Sequence, residues 1–106
     1  MRAGRLTEIL EFQNEIRKRN PTGEIEYVYE SILSARAERL KLTAVMDKDG
    51  VNASELFIGN MLVFRLRYNS LINDNQRVLY QGKKYSIQLI DKSRNELKIT
   101  LNRIND

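Results

Sequence analysis

Four segments in the C-terminal half of the chain alternate apolar and polar residues one for one. They are Leu62-Val63-Phe64-Arg65-Leu66-Arg67-Tyr68, Arg77-Val78-Leu79-Tyr80, Lys84-Tyr85-Ser86-Ile87-Gln88-Leu89 and Glu96-Leu97-Lys98-Ile99-Thr100-Leu101. Side chains of a strand point alternately to its two faces, so this period of two predicts half-buried antiparallel strands. One face would carry Leu62, Phe64, Leu66 and Tyr68, then Val78 and Tyr80, then Tyr85, Ile87 and Leu89, then Leu97, Ile99 and Leu101. Turn-forming joints separate the segments: Asn73-Asp74-Asn75, the tight hairpin Gln81-Gly82-Lys83, and Asp91-Lys92-Ser93-Arg94-Asn95. No strand carries an evident catalytic side chain.

The N-terminal half continues the pattern less cleanly. Thr7 to Asn14 reads as a first strand, with Leu10 and Phe12 on one face. Glu15 to Glu24 reads as a hairpin connection, with turn chemistry at Asn20-Pro21 and Thr22-Gly23 and a basic tip at Arg17, Lys18 and Arg19. A second strand begins at Ile25 or Glu26 and runs to about Ala37. Residues 38–42 fit either a continuing strand or a helix. Thr43 to Asn60 is a long middle loop with a turn at Asp47 to Gly50. Asn52-Ala53-Ser54-Glu55 resembles a capping box, so one short helix is predicted over Ala53 to Ile58. The expectation is a mainly β chain: a small antiparallel β-barrel of about six strands, with a long middle loop carrying one short helix. At 106 residues it forms a single domain, 1–106, able to bury roughly 60–70% of its unfolded surface.

Composition narrows the chemistry. The chain has no cysteine and no histidine, which removes the thiol nucleophile, the thiolate metal site and the commonest general base. Its carboxylates form no pair with an acid–base division of labour, and its five glycines form no phosphate-binding loop. Asp47-x-Asp49-Gly50-x-Asn52-x-x-Glu55 puts glycine and glutamate at the wrong positions for a calcium loop. The reading is therefore not an enzyme, with no cofactor and no metal. No apolar run reaches the ~20 residues of a membrane span, the first residues lack the apolar stretch of a signal peptide, and the expected compartment is cytoplasmic. Asn52-Ala53-Ser54 then matches a glycosylation acceptor by chance.

Binding surfaces remain. The net charge of +4 fits simple solubility and also fits a polyanionic neighbour. The five tyrosines, Tyr27, Tyr29, Tyr68, Tyr80 and Tyr85, read first as core rings and second as a stacking platform for bases. Met61, Val63, Leu79 and Ile90 fall on nominally outward faces, beside Arg65 and Arg67. Apolar residues outside a small barrel suggest a partner surface.

The order of these pieces resembles the head–tail joining proteins of tailed bacteriophages. The resemblance rests on Gly4-Arg5-Leu6 with Leu10-Glu11-Phe12-Gln13, on Thr22-Gly23-Glu24, Tyr27-Val28-Tyr29 and Ala35-Arg36-Ala37. It continues in Phe64-Arg65-Leu66-Arg67-Tyr68 and in the block from Arg77-Val78-Leu79-Tyr80 through Gly82 to Tyr85-Ser86-Ile87, and so covers nearly the whole chain. It implies a barrel that assembles as a ring at the virion neck, between portal protein and tail components, completing the head after packaging. It implies no membrane partner, assembly in the host cytoplasm, and a lumen crossed by double-stranded DNA. Arg17, Lys18, Arg19 and Lys48 are candidate channel-facing residues; Met61, Val63, Arg65, Arg67, Leu79 and Ile90 are candidate contacts to a neighbouring subunit. The rival reading is a small barrel of the OB or SH3-like kind that binds nucleic acid without sequence preference.

Overall fold

The computed structural model describes residues 5–41 and 60–104. Lys48, the turn at Asp47, the Asn52 cap and the helix predicted over Ala53 to Ile58 lie outside the described residues. Six strands form in chain order: β1 (Glu8–Arg19), β2 (Ile25–Leu40), β3 (Met61–Arg67), β4 (Arg77–Tyr80), β5 (Lys83–Ser93) and β6 (Glu96–Arg103). They close into an antiparallel barrel in the order β1-β2-β3-β6-β5-β4.

The alternating face fills the barrel. Leu10, Phe12, Ala37, Phe64, Leu66, Val78, Ile99 and Leu101 are fully buried, with Tyr80, Tyr85, Ile87 and Leu97 nearly so. Side chains of the larger of these sizes contribute about 1.5–3 kcal/mol each when buried. Phe64 and Tyr80 pack edge to face at 5.0 Å, and Tyr80 meets Tyr85 in the same way at 6.3 Å. Ile72, from the loop between β3 and β4, joins this core.

The strands run longer than the sequence pattern suggested. β1 continues through Glu15 to Arg19, where a loop was expected, and pairs with β2 to its last residue, Arg19↔Ile25. Those residues are polar on both faces, so they carry no apolar alternation to read. β2 runs to Leu40, which settles residues 38–40 as strand. β5 extends to Ser93 and β6 to Arg103.

Two β-bulges change which side chains face inward. β1 and β2 slip register between Phe12 and Gln13: Phe12 pairs with Leu33 but Gln13 pairs with Ser31, leaving Ile32 as the extra residue. Leu33 faces the core, and beyond the bulge the even-numbered residues take that side. Tyr27 and Tyr29 are thereby turned outward, contrary to their reading as core rings. β5 carries the second bulge at Gln88, between Ile87 and Leu89. Leu89, expected inside, is 53% exposed; Ile90, expected outside, packs against the core. Tyr68 also lies outside, just past the end of β3, with Lys92 Nζ 4.3 Å from its ring centroid.

Beyond Gln13, β1 pairs only with β2 among the described residues, and β2 pairs with β3 only from Ala37. The two strands therefore project from the barrel as a two-stranded ribbon. Its tip is held by Asn20, whose Oδ1 accepts hydrogen bonds from Thr22 N, Thr22 Oγ1 and Glu24 N at 3.1, 2.7 and 2.9 Å. Gly23 there has φ +89°, a conformation that favours glycine.

Candidate functional site

The candidate contact residues do not form one patch. β3 and β4 stand three places apart in the six-strand ring, on opposite walls. Met61, Val63, Arg65 and Arg67 lie outward on β3, while Leu79 lies outward on β4 across the barrel. Val63 is only 7% exposed and Ile90 belongs to the core periphery, so neither presents an open side chain within the subunit. Arg65 is half-exposed and shared between Glu38 and Glu96, each at 3.7 Å, linking β2, β3 and β6. Ion pairs this exposed contribute about 0–1 kcal/mol, so Arg65 is a brace of the wall more than an anchor of the fold.

Each wall carries apolar surface that period-two reading missed. On the β3 side, Leu40, Val63, Thr100 and Leu89 lie in one cross-strand row, through the pairs Leu40↔Val63, Val63↔Thr100 and Leu89↔Thr100. On the β1 side, Ile9, 61% exposed, and Leu79 lie on the same outer surface as Gln13 and Arg77. That surface runs on up the ribbon through Tyr29, Tyr27 and Ile25, which face Glu15, Arg17 and Arg19 across the hairpin. Tyr27 is 63% exposed. Only the bulge at Ile32 puts these rings outside, and a sequence pattern has no mark for an inserted residue.

The base of the ribbon is latched to the barrel. Gln76 is buried; its Nε2 donates to Leu71 O at 2.7 Å and to Asn14 Oδ1 at 3.1 Å, and its Oε1 accepts from Asn73 N at 3.0 Å. Arg77 Nε donates to Gln13 Oε1 at 3.2 Å. The same guanidinium covers the Tyr29 ring, whose hydroxyl donates to Glu15 Oε2 at 3.0 Å. That hydrogen bond, with burial and the Glu15 charge, raises the Tyr29 phenol above its usual value.

The cations sit in two places. Arg17, Lys18 and Arg19 are exposed near the ribbon tip. Arg39, Lys83 and Arg103 gather at a recess in one end of the barrel, beside Tyr80 and Tyr85. The sequence reading did not single out this second group, because its members come from three strands. Tyr80 donates its hydroxyl to Glu8, and burial first, then that bond, raises its pKa. Among the described residues no cluster of three or more acidic side chains could hold a metal ion.

The sequence matches the phage head completion protein family over residues 1–101. The chain belongs to that family. A head completion protein is a structural component of a phage particle, in keeping with a barrel whose notable features are surfaces rather than reactive groups. Two solved structures share the fold. One is the solution structure of protein SF1141 from Shigella flexneri 2a, with 23% identity and a TM-score of 0.65, covering 97% of this chain and 96% of that one. The other is a chain of the virion of a native gene transfer agent particle, with 11% identity and a TM-score of 0.60, covering 94% and 96%. No curated protein matches the sequence.

Proposed function

We propose that this head completion protein forms a ring at the head–tail junction, docked between portal and tail, and that it completes the head after DNA packaging. The observation that carries the reading is the family match over residues 1–101. The geometry adds a physical argument. A ring is built from head-to-tail contacts, each using two different patches of the subunit. Two outward apolar walls on opposite sides of the barrel meet that requirement: Leu40, Val63 and Leu89 on one, Ile9 and Leu79 on the other. The half-exposed Met61 and the exposed Arg67 border the first wall.

In this reading the protein is not an enzyme. Its basic groups face packaged DNA: Arg17, Lys18 and Arg19 on the ribbon, or Arg39, Lys83 and Arg103 at the barrel end. Such contacts go to phosphates and are independent of sequence. Assembly takes place in the host cytoplasm and the product resides in the virion neck. Electron microscopy of the purified chain mixed with the portal protein of the same phage or prophage is expected to show stacked rings. A chain that never associates with portal or tail components overturns the proposal.

One observation favours the nucleic-acid reading: Tyr27 and Tyr29 stand outward beside Arg17. It is weakened by Arg77, which already occupies a face of Tyr29 and leaves one open ring where a stacking platform needs several. Tight binding of short single-stranded DNA by the monomer at moderate salt would favour that alternative.

A further inference from the structure

The ribbon has two open edges, and they carry opposite charge. The β1 edge, Asn14 to Arg19, holds three cations and one acid. The β2 edge holds Glu24, Glu26 and Glu30 between turn and bulge, and no cation. From Ile25 to Arg36 the β2 edge pairs with no strand among the described residues, and it contains neither proline nor lysine, two residues that commonly blunt such edges. A row of unpaired backbone donors and acceptors this long is a template for another strand.

We infer that the ribbons of adjacent copies join edge to edge, the acidic β2 edge of one subunit adding to the basic β1 edge of the next. The occupant is a second copy of this chain, because only this pairing satisfies the charges. A β2-to-β2 contact sets Glu24, Glu26 and Glu30 against themselves. A β1-to-β1 contact sets Arg17, Lys18 and Arg19 against themselves. Like charges directly opposite destabilise a strand pair, so the hairpin disfavours both symmetric contacts. The β2-to-β1 contact uses two different surfaces and is therefore head-to-tail, as ring closure requires. Its direction is also right. Within a hairpin the strands run oppositely, so two ribbons side by side in the same orientation place β2 antiparallel to the next β1. The result is a continuous sheet of alternating acidic and basic strands, with Ile25, Tyr27 and Tyr29 of every copy on one face. The tip bonds of Asn20 and the latch at Gln76 hold the edge straight before the neighbour arrives.

The inference rests on the ring reading, and disulfide trapping separates the two. The chain has no cysteine, so single substitutions report cleanly. A chain carrying Arg17→Cys is mixed with chains carrying Ile25→Cys, Tyr27→Cys or Tyr29→Cys, and oxidised. Disulfides between the two different variants are expected to predominate for at least one of the three, because a bond needs Cα atoms within about 7 Å. In a second experiment, Arg17→Glu/Arg19→Glu and Glu26→Lys/Glu30→Lys chains are each expected to lose self-association alone and to recover it when mixed. Circular dichroism checks that each remains folded, and the cysteine series, which leaves most charges in place, covers the case in which one does not. Predominant same-variant disulfides, or none, overturn the edge pairing. Rings in electron micrographs without mixed disulfides overturn it too, yet leave the ring reading standing. Mixed disulfides in open chains that never close support the edge pairing and count against the ring.

Discussion

The guanidinium of Arg77 lies 3.5 Å from the centroid of the Tyr29 ring, joining the first residue of β4 to the outward face of the ribbon. It is a contact between barrel and ribbon, made by two residues far apart in sequence. An exposed cation–π contact of this kind is worth about 0.5–1 kcal/mol. Arg77→Ala is therefore expected to raise amide exchange across residues 14–30 several-fold. The barrel strands β3 and β6 should keep their protection. Uniform loss of protection would show instead that ribbon and barrel open together.

Gln76 is the buried polar side of the same junction. Gln76→Leu keeps most of the volume but abandons Asn73 N, Leu71 O and the Asn14 side chain. Leaving such groups unsatisfied costs about 1–3 kcal/mol. Urea unfolding should show a midpoint lowered accordingly, with the slope unchanged.

The β4–β5 hairpin turns through Gln81 and Gly82, with φ of 51° and 77°, so both central residues are left-handed. Asn-Gly is the favoured pair for such a turn, and glutamine has no comparable preference. Gln81→Asn is expected to stabilise the protein by about 0.5 kcal/mol, by the relief of left-handed strain. Gly82→Ala should destabilise it by about 1 kcal/mol from that strain alone, since an added Cβ meets nothing within 4 Å. Thermal unfolding of both variants distinguishes strain from crowding.

Tyr80 is held protonated by burial and by its bond to Glu8. Its folded pKa lies above the unfolded value of 10.0, so its contribution is complete below that pH and is lost as pH rises through the folded pKa. Tyr29 acts in the same direction through Glu15. Stability should decline above about pH 10, and a Tyr29→Phe/Tyr80→Phe chain should decline less steeply. Ultraviolet titration of tyrosinate alongside denaturant melts measures both.

If the two apolar walls are the subunit contacts, charge placed on them should block assembly without unfolding the barrel. Ile9→Lys and Leu89→Lys replace exposed side chains. Each is expected to change unfolding free energy by no more than about 0.5 kcal/mol, while abolishing rings on the portal. Normal ring formation by both variants would remove these walls from the interface.

Much of the barrel was legible because its core is written with a period of two. Phe64, Leu66, Val78, Tyr80, Tyr85, Ile87, Leu97, Ile99 and Leu101 stand inside as the alternation predicts, and alternation alone places them there. Gln81-Gly82 and the turn after Ser93 were legible for an equally local reason, since turn residues report their own backbone conformation. The ribbon was not. Asn14 to Arg19 bury little apolar surface, and a strand held by one partner and solvent has no hydrophobic period to display.

The outward surface was the least legible part, and the bulges at Ile32 and Gln88 explain why. An extra residue reverses the inside and outside of every residue beyond it, and whether it exists depends on the partner strand. The local sequence by itself determined the antiparallel class, most of the core and the turns, because those follow from side-chain alternation and backbone preference within a few residues. Only the tertiary structure decided that Tyr27, Tyr29 and Leu89 face outward and Ile90 inward, that Leu79 lies across the barrel from Arg65, and that the ribbon offers an acidic and a basic edge. Register and closure are properties of strand pairs, and no single strand contains them.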